Sequence, residues 1–166
     1  MTKLSWHEEE VPKDLQIKQV YGVLFSNDQR ILLMKKMLNG KPFFSLSGGT
    51  PEVFDENLVA TLKRELLEEI NTTIDKPIYL GYQKVDLENG EKPFAQVRMV
   101  AKILKIEKRQ PDPDSGITYE RLLIPPKDAG KTLNWGDIGN RIIELATITA
   151  KENFEFEKAN ENQEYV

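Results

Sequence analysis

β-Branched and aromatic residues dominate positions 16–26 (QIKQVYGVLFS), and this pattern predicts a strand. Asn27-Asp28-Gln29 has turn chemistry and Ile31 to Met37 returns as a second strand, so a hairpin is expected. A loop over Leu38–Pro42 leads to a short strand from Phe43 to Leu46, running into Gly48-Gly49. From Glu56 to Ile70 the period changes. No glycine or proline interrupts it, and Leu58, Leu62, Leu66 and Ile70 form one i, i+4 ridge, which predicts a helix. Asp55 is its expected N-cap, and Asn71 its expected left-handed end. Residues 78–86 and 94–106 predict strands about the turn cluster Glu88-Asn89-Gly90, and Leu122–Ile124 a short one stopped by Pro125-Pro126. Ile138, Ile142, Leu145 and Ala146 predict a second helix over 137–150. Strands, helix, strands and helix in this order predict a mixed α/β domain with helices on a sheet.

With 166 residues there is room for one domain. Residues 1–15 are polar and are expected to form an arm or edge segment; the domain proper takes 16–153, and 154–166 is a polar, acidic tail whose last ten residues are expected to fray. The chain has no cysteine and a single histidine, His7, which excludes disulfides, thiolate and His-rich metal sites, and cysteine nucleophiles. Twenty-three basic and 27 acidic side chains leave a net charge of −4, so no global field favours nucleic acid or an anionic membrane. The first ten residues, MTKLSWHEEE, carry acids where a secretory signal needs an apolar core, and no stretch reaches the length of a membrane span. These features lead us to expect a cytoplasmic protein with no membrane partner and no stable nucleic-acid binding. Oxygen chemistry remains: carboxylates, hydroxyls and hard cations.

Carboxylates cluster on the first predicted helix. Glu65, Glu68 and Glu69 stand at i, i+3 and i+4, neighbours on a helix surface, and they border the apolar ridge instead of facing away from it. Like charges so close and partly out of water raise one another's pKa, and a divalent cation would relieve the repulsion. Arg64, four residues before Glu68, is placed to neutralise or orient one of them.

The segment 48–72, GGTPEVFDENLVATLKRELLEEINT, resembles the signature of the Nudix hydrolases, the MutT-like pyrophosphohydrolases: G-x5-E-x7-R-E-U-x-E-E-x-G-U, with U a bulky aliphatic. Glu56 and Arg64-Glu65-Leu66-Leu67-Glu68-Glu69 fit without a gap. Gly49 lies six residues before Glu56 where the pattern wants five, and we place the extra residue in Val53-Phe54-Asp55; Asn71-Thr72 replaces the final pair. The resemblance implies a Nudix-type α/β/α sandwich with a mixed β-sheet. It implies metal-dependent hydrolysis of a nucleoside diphosphate linked to another group, with Mg²⁺ or Mn²⁺ as cofactor, a nucleotide-type substrate as partner, and room for a homodimer. By the same resemblance Glu65, Glu68, Glu69 and the Gly49 carbonyl hold the metal, Glu56 orients water or a ligand, Arg64 pins the glutamates and Glu65 is the chosen base. A catalytically inactive nucleotide-binding or regulatory module on the same fold is the alternative.

Family members often add a loop carboxylate; Glu120 is the first candidate, then Asp114 and Asp112. Arg98 and Lys102 alternate along one strand face, where Arg98 is the candidate for holding substrate phosphates. Trp135 and Tyr119 suit base stacking but more often serve as core residues, and His7 is expected on the surface of the arm.

Overall fold

The computed structural model describes residues 1–166. Ten strands and three helices follow the chain: β1 (Lys3–His7), β2 (Gln16–Phe25), β3 (Ile31–Leu38), β4 (Lys41–Ser45), β5 (Ser47–Gly49), α1 (Leu58–Ile70), β6 (Thr72–Ile74), β7 (Ile78–Asp86), β8 (Phe94–Ile106), β9 (Glu120–Ile124), α2 (Pro126–Leu133), α3 (Gly136–Asn153) and β10 (Glu164–Tyr165). The main sheet runs β1-β7-β8-β2-β3-β9-β10. Only β2 and β8 pair in parallel, over Gln16–Phe25 against Phe94–Lys102, so the sheet is mixed.

Side chains alternate across the sheet, and each face has its own core. Val20, Leu24, Leu32, Val97 and Met99 pack against Leu62, Leu66 and Ile70 of α1. Val23, Phe25, Leu33, Val100 and Ile124 pack on the other face, against Ala129 and Leu133 of α2 and Ile142, Ile143 and Ala146 of α3. The result is a three-layer α/β/α sandwich. No helix is long and apolar enough to cross a membrane.

β2 and β3 pair only at Phe25–Ile31. Beyond that point they diverge, and the chain fills the gap with its own hairpin. β4 pairs with β3 from Leu38–Lys41 to Met34–Ser45, and β5 then crosses to pair with Val20–Gly22 of β2. The expected loop at 38–42 is in fact a tight hairpin, because Asn39 and Gly40 both adopt positive φ, 52° and 75°. This wedge carries Gly48-Gly49 beneath α1.

Three expectations are corrected. The α1 N-cap is Asn57, whose side chain accepts from the Ala60 N–H at 2.9 Å, so Asp55 stays in the preceding loop. The single helix expected after Ile124 is two: Pro125-Pro126 do stop β9 there, and Pro126 then opens α2 as its first residue, where a missing N–H is harmless, ahead of α3. The tail does not fray: Phe154 and Phe156 pack against the α3-side core, and β10 pairs with β9. Asn71 does end α1 in the left-handed region, with its N–H on the Leu66 carbonyl.

Candidate active site

α1 sets Glu65, Glu68 and Glu69 one turn apart beside β5. Glu69 turns inward and is 9% exposed; its Oε1 accepts from the Ser47 hydroxyl at 2.8 Å and the Gly48 N–H at 3.0 Å. Burial pushes its pKa up, against the pull of those two donors. Burial also pushes Glu65 up, to about 7, with Arg64 opposing and the charges of Glu69 and Glu68 adding to the rise. A Cβ on Gly49 would lie 2.4 Å from the Glu65 carboxyl carbon, so only glycine lets β5 approach the carboxylate this closely.

Arg64 is the hub. It donates to Glu65 Oε1 at 3.1 Å, Glu68 Oε2 at 3.4 Å and the Thr50 carbonyl at 3.1 Å. Its Nε and one terminal nitrogen fork onto the two oxygens of Asp55 at 3.0 and 2.9 Å. That fork holds the Asp55 carboxyl well below the usual carboxylate range. Asp55 also accepts from the Glu52 N–H and the Thr61 hydroxyl, both at 2.9 Å.

Glu56 is exposed and stands outside this network. Its neighbour Asp55 follows Gly49 with five residues between them, so the glycine-to-acid spacing of the signature is kept. Counted to Asp55 the extra residue falls between the acid and Arg64, and counted to Glu56 it falls in Val53-Phe54-Asp55. Because α1 starts at Leu58 with Asn57 as its cap, Asp55 lies in the loop and folds back onto Arg64.

The loop acids separate as well. Glu120 is half exposed and pairs with Lys35 at 3.1 Å, and Asp114 is exposed. Asp112 is 8% exposed, accepts from the Asp114 N–H at 2.8 Å, and of the three is the one whose charge adds to the rise at Glu69. Its burial was not visible in a Pro-rich polar segment. Lys102 donates to the Glu155 carbonyl and serves to anchor the tail. His7 stacks on Tyr82 at 4.8 Å between ring centres.

Arg98 lies on the opposite face of the sheet from α1, between the rings of Tyr21 and Trp135, at 4.8 and 5.8 Å. A cleft of about 360 Å³ opens there, bordered by Lys36, Ser45, Gln83 and Gln96. A larger groove, about 710 Å³, runs between α2 and α3 and holds none of the carboxylates described.

No three acids converge as a ready-made ligand set. Glu65 and Glu68 lean on Arg64, while Glu69 leans on Ser47 and Gly48. The donor set is nonetheless all oxygen, two of its carboxylates are desolvated with raised pKa, and Gly49 lets the Glu65 carboxylate lie directly against the β5 backbone. These properties fit a hard divalent cation.

The architecture is that of the Nudix hydrolases. The Bacillus subtilis pyrophosphohydrolase BsRppH superposes with a TM-score of 0.67 at 19% identity, covering 93% of this chain and 94% of its own. A Nudix hydrolase from Nitrosomonas europaea gives 0.59 at 14% identity, covering 84% of this chain and 93% of its own. The Nudix domain of Shewanella oneidensis NrtR, complexed with ADP ribose, gives 0.57 at 17% identity, covering 84% of this chain and 89% of its own. No protein-family model matches the sequence, and no curated protein matches it significantly.

Proposed function

We propose that this chain is a metal-dependent pyrophosphohydrolase acting on a nucleoside diphosphate linked to another group, in the cytoplasm. The observation that carries the reading is the array of Arg64, Asp55, Glu65, Glu68 and Glu69 against Gly48-Gly49 on a Nudix fold. Glu65, Glu68, Glu69 and the Gly49 carbonyl would hold Mg²⁺ or Mn²⁺. When bound, such a cation polarises phosphoryl oxygens and lowers the pKa of water. Glu65, which stands beside Gly49 and Glu69, is the base chosen to take a proton from the attacking water. Arg64 would keep Glu65 and Glu68 oriented beside that site, and its fork on Asp55 fixes the guanidinium that does so. Asp55 takes the orienting role expected of Glu56, Asp112 takes the loop-acid role expected of Glu120, and Arg98 holds the substrate.

The alternative, a nucleotide-binding module that does not cleave, is favoured by one observation: Arg64 already occupies two of the glutamates. Product release from a panel of nucleoside diphosphate derivatives with Mg²⁺ or Mn²⁺ separates the two. Hydrolysis that falls about 10²-fold or more in Glu69→Gln is expected, since electrostatic terms of this kind are worth several kcal/mol. Tight binding without turnover would establish the alternative.

A further inference from the structure

Arg98 is 3% exposed, yet no carboxylate pairs with it. Its terminal nitrogens reach only neutral acceptors of Gln96, the carbonyl at 3.2 Å and Oε1 at 3.5 Å, and its Nε has no partner at all. The Ser45 hydroxyl, on the border of the same cleft, is also buried without a partner. Buried polar groups left unpaired are costly, more so when charged, so both call for a missing acceptor. Burial pulls the Arg98 pKa down to about 10, which leaves it cationic at neutral pH.

The border of the cleft has two cations, Arg98 and Lys36, hydrogen-bonding groups from Ser45, Gln83 and Gln96, and no acid. Tyr21 and Trp135 already offer a face each to Arg98, so their rings stiffen the guanidinium more than they invite a base. The cleft is also electrically joined to the glutamates. Lys36 counters the rise at Glu69, and Gly48, whose N–H binds Glu69, packs against Tyr21.

We propose that this cleft binds a phosphate monoester carried by the part of the substrate away from the scissile diphosphate. Two cations and a hydroxyl match a tetrahedral dianion, and Arg98 brings to it a guanidinium that no carboxylate neutralises. The inference rests on the hydrolase reading for its placement within a substrate, and it narrows that substrate to one bearing a phosphate separate from the diphosphate that is cleaved.

The test needs neither metal nor turnover. In EDTA, inorganic phosphate is titrated against the full-length protein carrying Trp6→Phe, so that fluorescence reports Trp135 alone. Saturable quenching is expected, at least tenfold weaker in Arg98→Met and in Lys36→Met. Arg98→Met should also melt no lower than its parent, since it removes an unpaired buried charge; a purely structural arginine would give a lower melting temperature and leave phosphate binding to the folded protein unchanged. If Arg98→Met does not fold, Lys36→Met and Ser45→Ala carry the comparison. Guanosine, uncharged and rich in acceptors, is titrated in parallel. Guanosine binding lost in Arg98→Met, without phosphate binding, would overturn the proposal in favour of base recognition, and no quenching by 10 mM phosphate would overturn it outright. Absence of hydrolysis with phosphate binding intact would remove the hydrolase reading and leave the anion site standing.

Discussion

Arg64 touches Asp55, Glu65 and Glu68, yet only Asp55 meets it with both oxygens. A planar guanidinium held by a fork keeps its position when its other partners leave, which a single contact would not ensure. Asp55→Asn should therefore lower metal-dependent hydrolysis about 10- to 100-fold, the usual range for outer-shell partners, and lower the melting temperature as well. Glu56→Gln should change neither; equal losses in the two variants would restore Glu56 to the role. A second prediction concerns protons. Burial raises Glu65 from 4.5 to about 7, so the folded chain holds that proton more tightly than the unfolded one. The stability from this group is complete below about pH 4.5 and is lost as pH rises through about 7. Asp55 has the opposite sign: its depressed pKa gives stability that is complete above about 4 and lost at lower pH. Metal-free protein should melt higher at pH 5.5 than at pH 8, and the difference should shrink in Glu65→Gln. Melting curves in EDTA check this, and a wild type that melts higher at pH 8 would contradict it.

α1 is held by what it buries. Leu62, Leu66 and Ile70 are all 1% exposed or less, and full burial of such side chains is worth about 1.5–3 kcal/mol each, against about 1 kcal/mol for an N-cap. Asn57→Ala should accordingly cost about 1 kcal/mol in urea unfolding and leave hydrolysis unchanged. Gly49→Ala should do the reverse, removing most activity while the helix persists, because its Cβ falls on the Glu65 carboxylate. Circular dichroism and turnover on the same samples separate these outcomes. Long periodic elements such as α1, β2, β7 and β8 were legible in the sequence because burial of one face imposes the period. The i, i+4 ridge likewise placed Glu69 at the buried edge. Position 55 was not legible, since two adjacent acids satisfy the spacing equally until the helix start is known. α2 was hidden by Pro125-Pro126, where a proline that ends one element also begins the next. Asp112 and the Arg98 cleft depend on chain segments far apart in sequence, and no local pattern announces them.

At the scale of the molecule, the last thirteen residues complete the structure. Phe154 and Phe156 cover the α3-side core, and Arg30, 5% exposed, donates to the Asn162 carbonyl and Glu164. Arg121, 4% exposed, donates to the Ile70, Glu107 and Val166 carbonyls, tying the end of α1 to the end of β8 and to the C-terminus. Removing residues 154–166 would uncover two aromatic side chains and strip acceptors from two buried cations. A chain ending at Asn153 should lose about 3 kcal/mol or more, given the apolar burial alone, and equilibrium urea unfolding measures it. An unchanged midpoint would mean that the tail adds nothing.

β1 and β10 lie at opposite ends of the seven-strand path, so the chain's own ends form both borders of the sheet. Six strand spacings of about 4.8 Å put those borders on the order of 29 Å apart. Joining these two ends to make a circular permutant would thus take a linker of roughly nine extended residues or more. New ends opened in the Asn89-Gly90 turn, which is exposed, would then leave both borders covered.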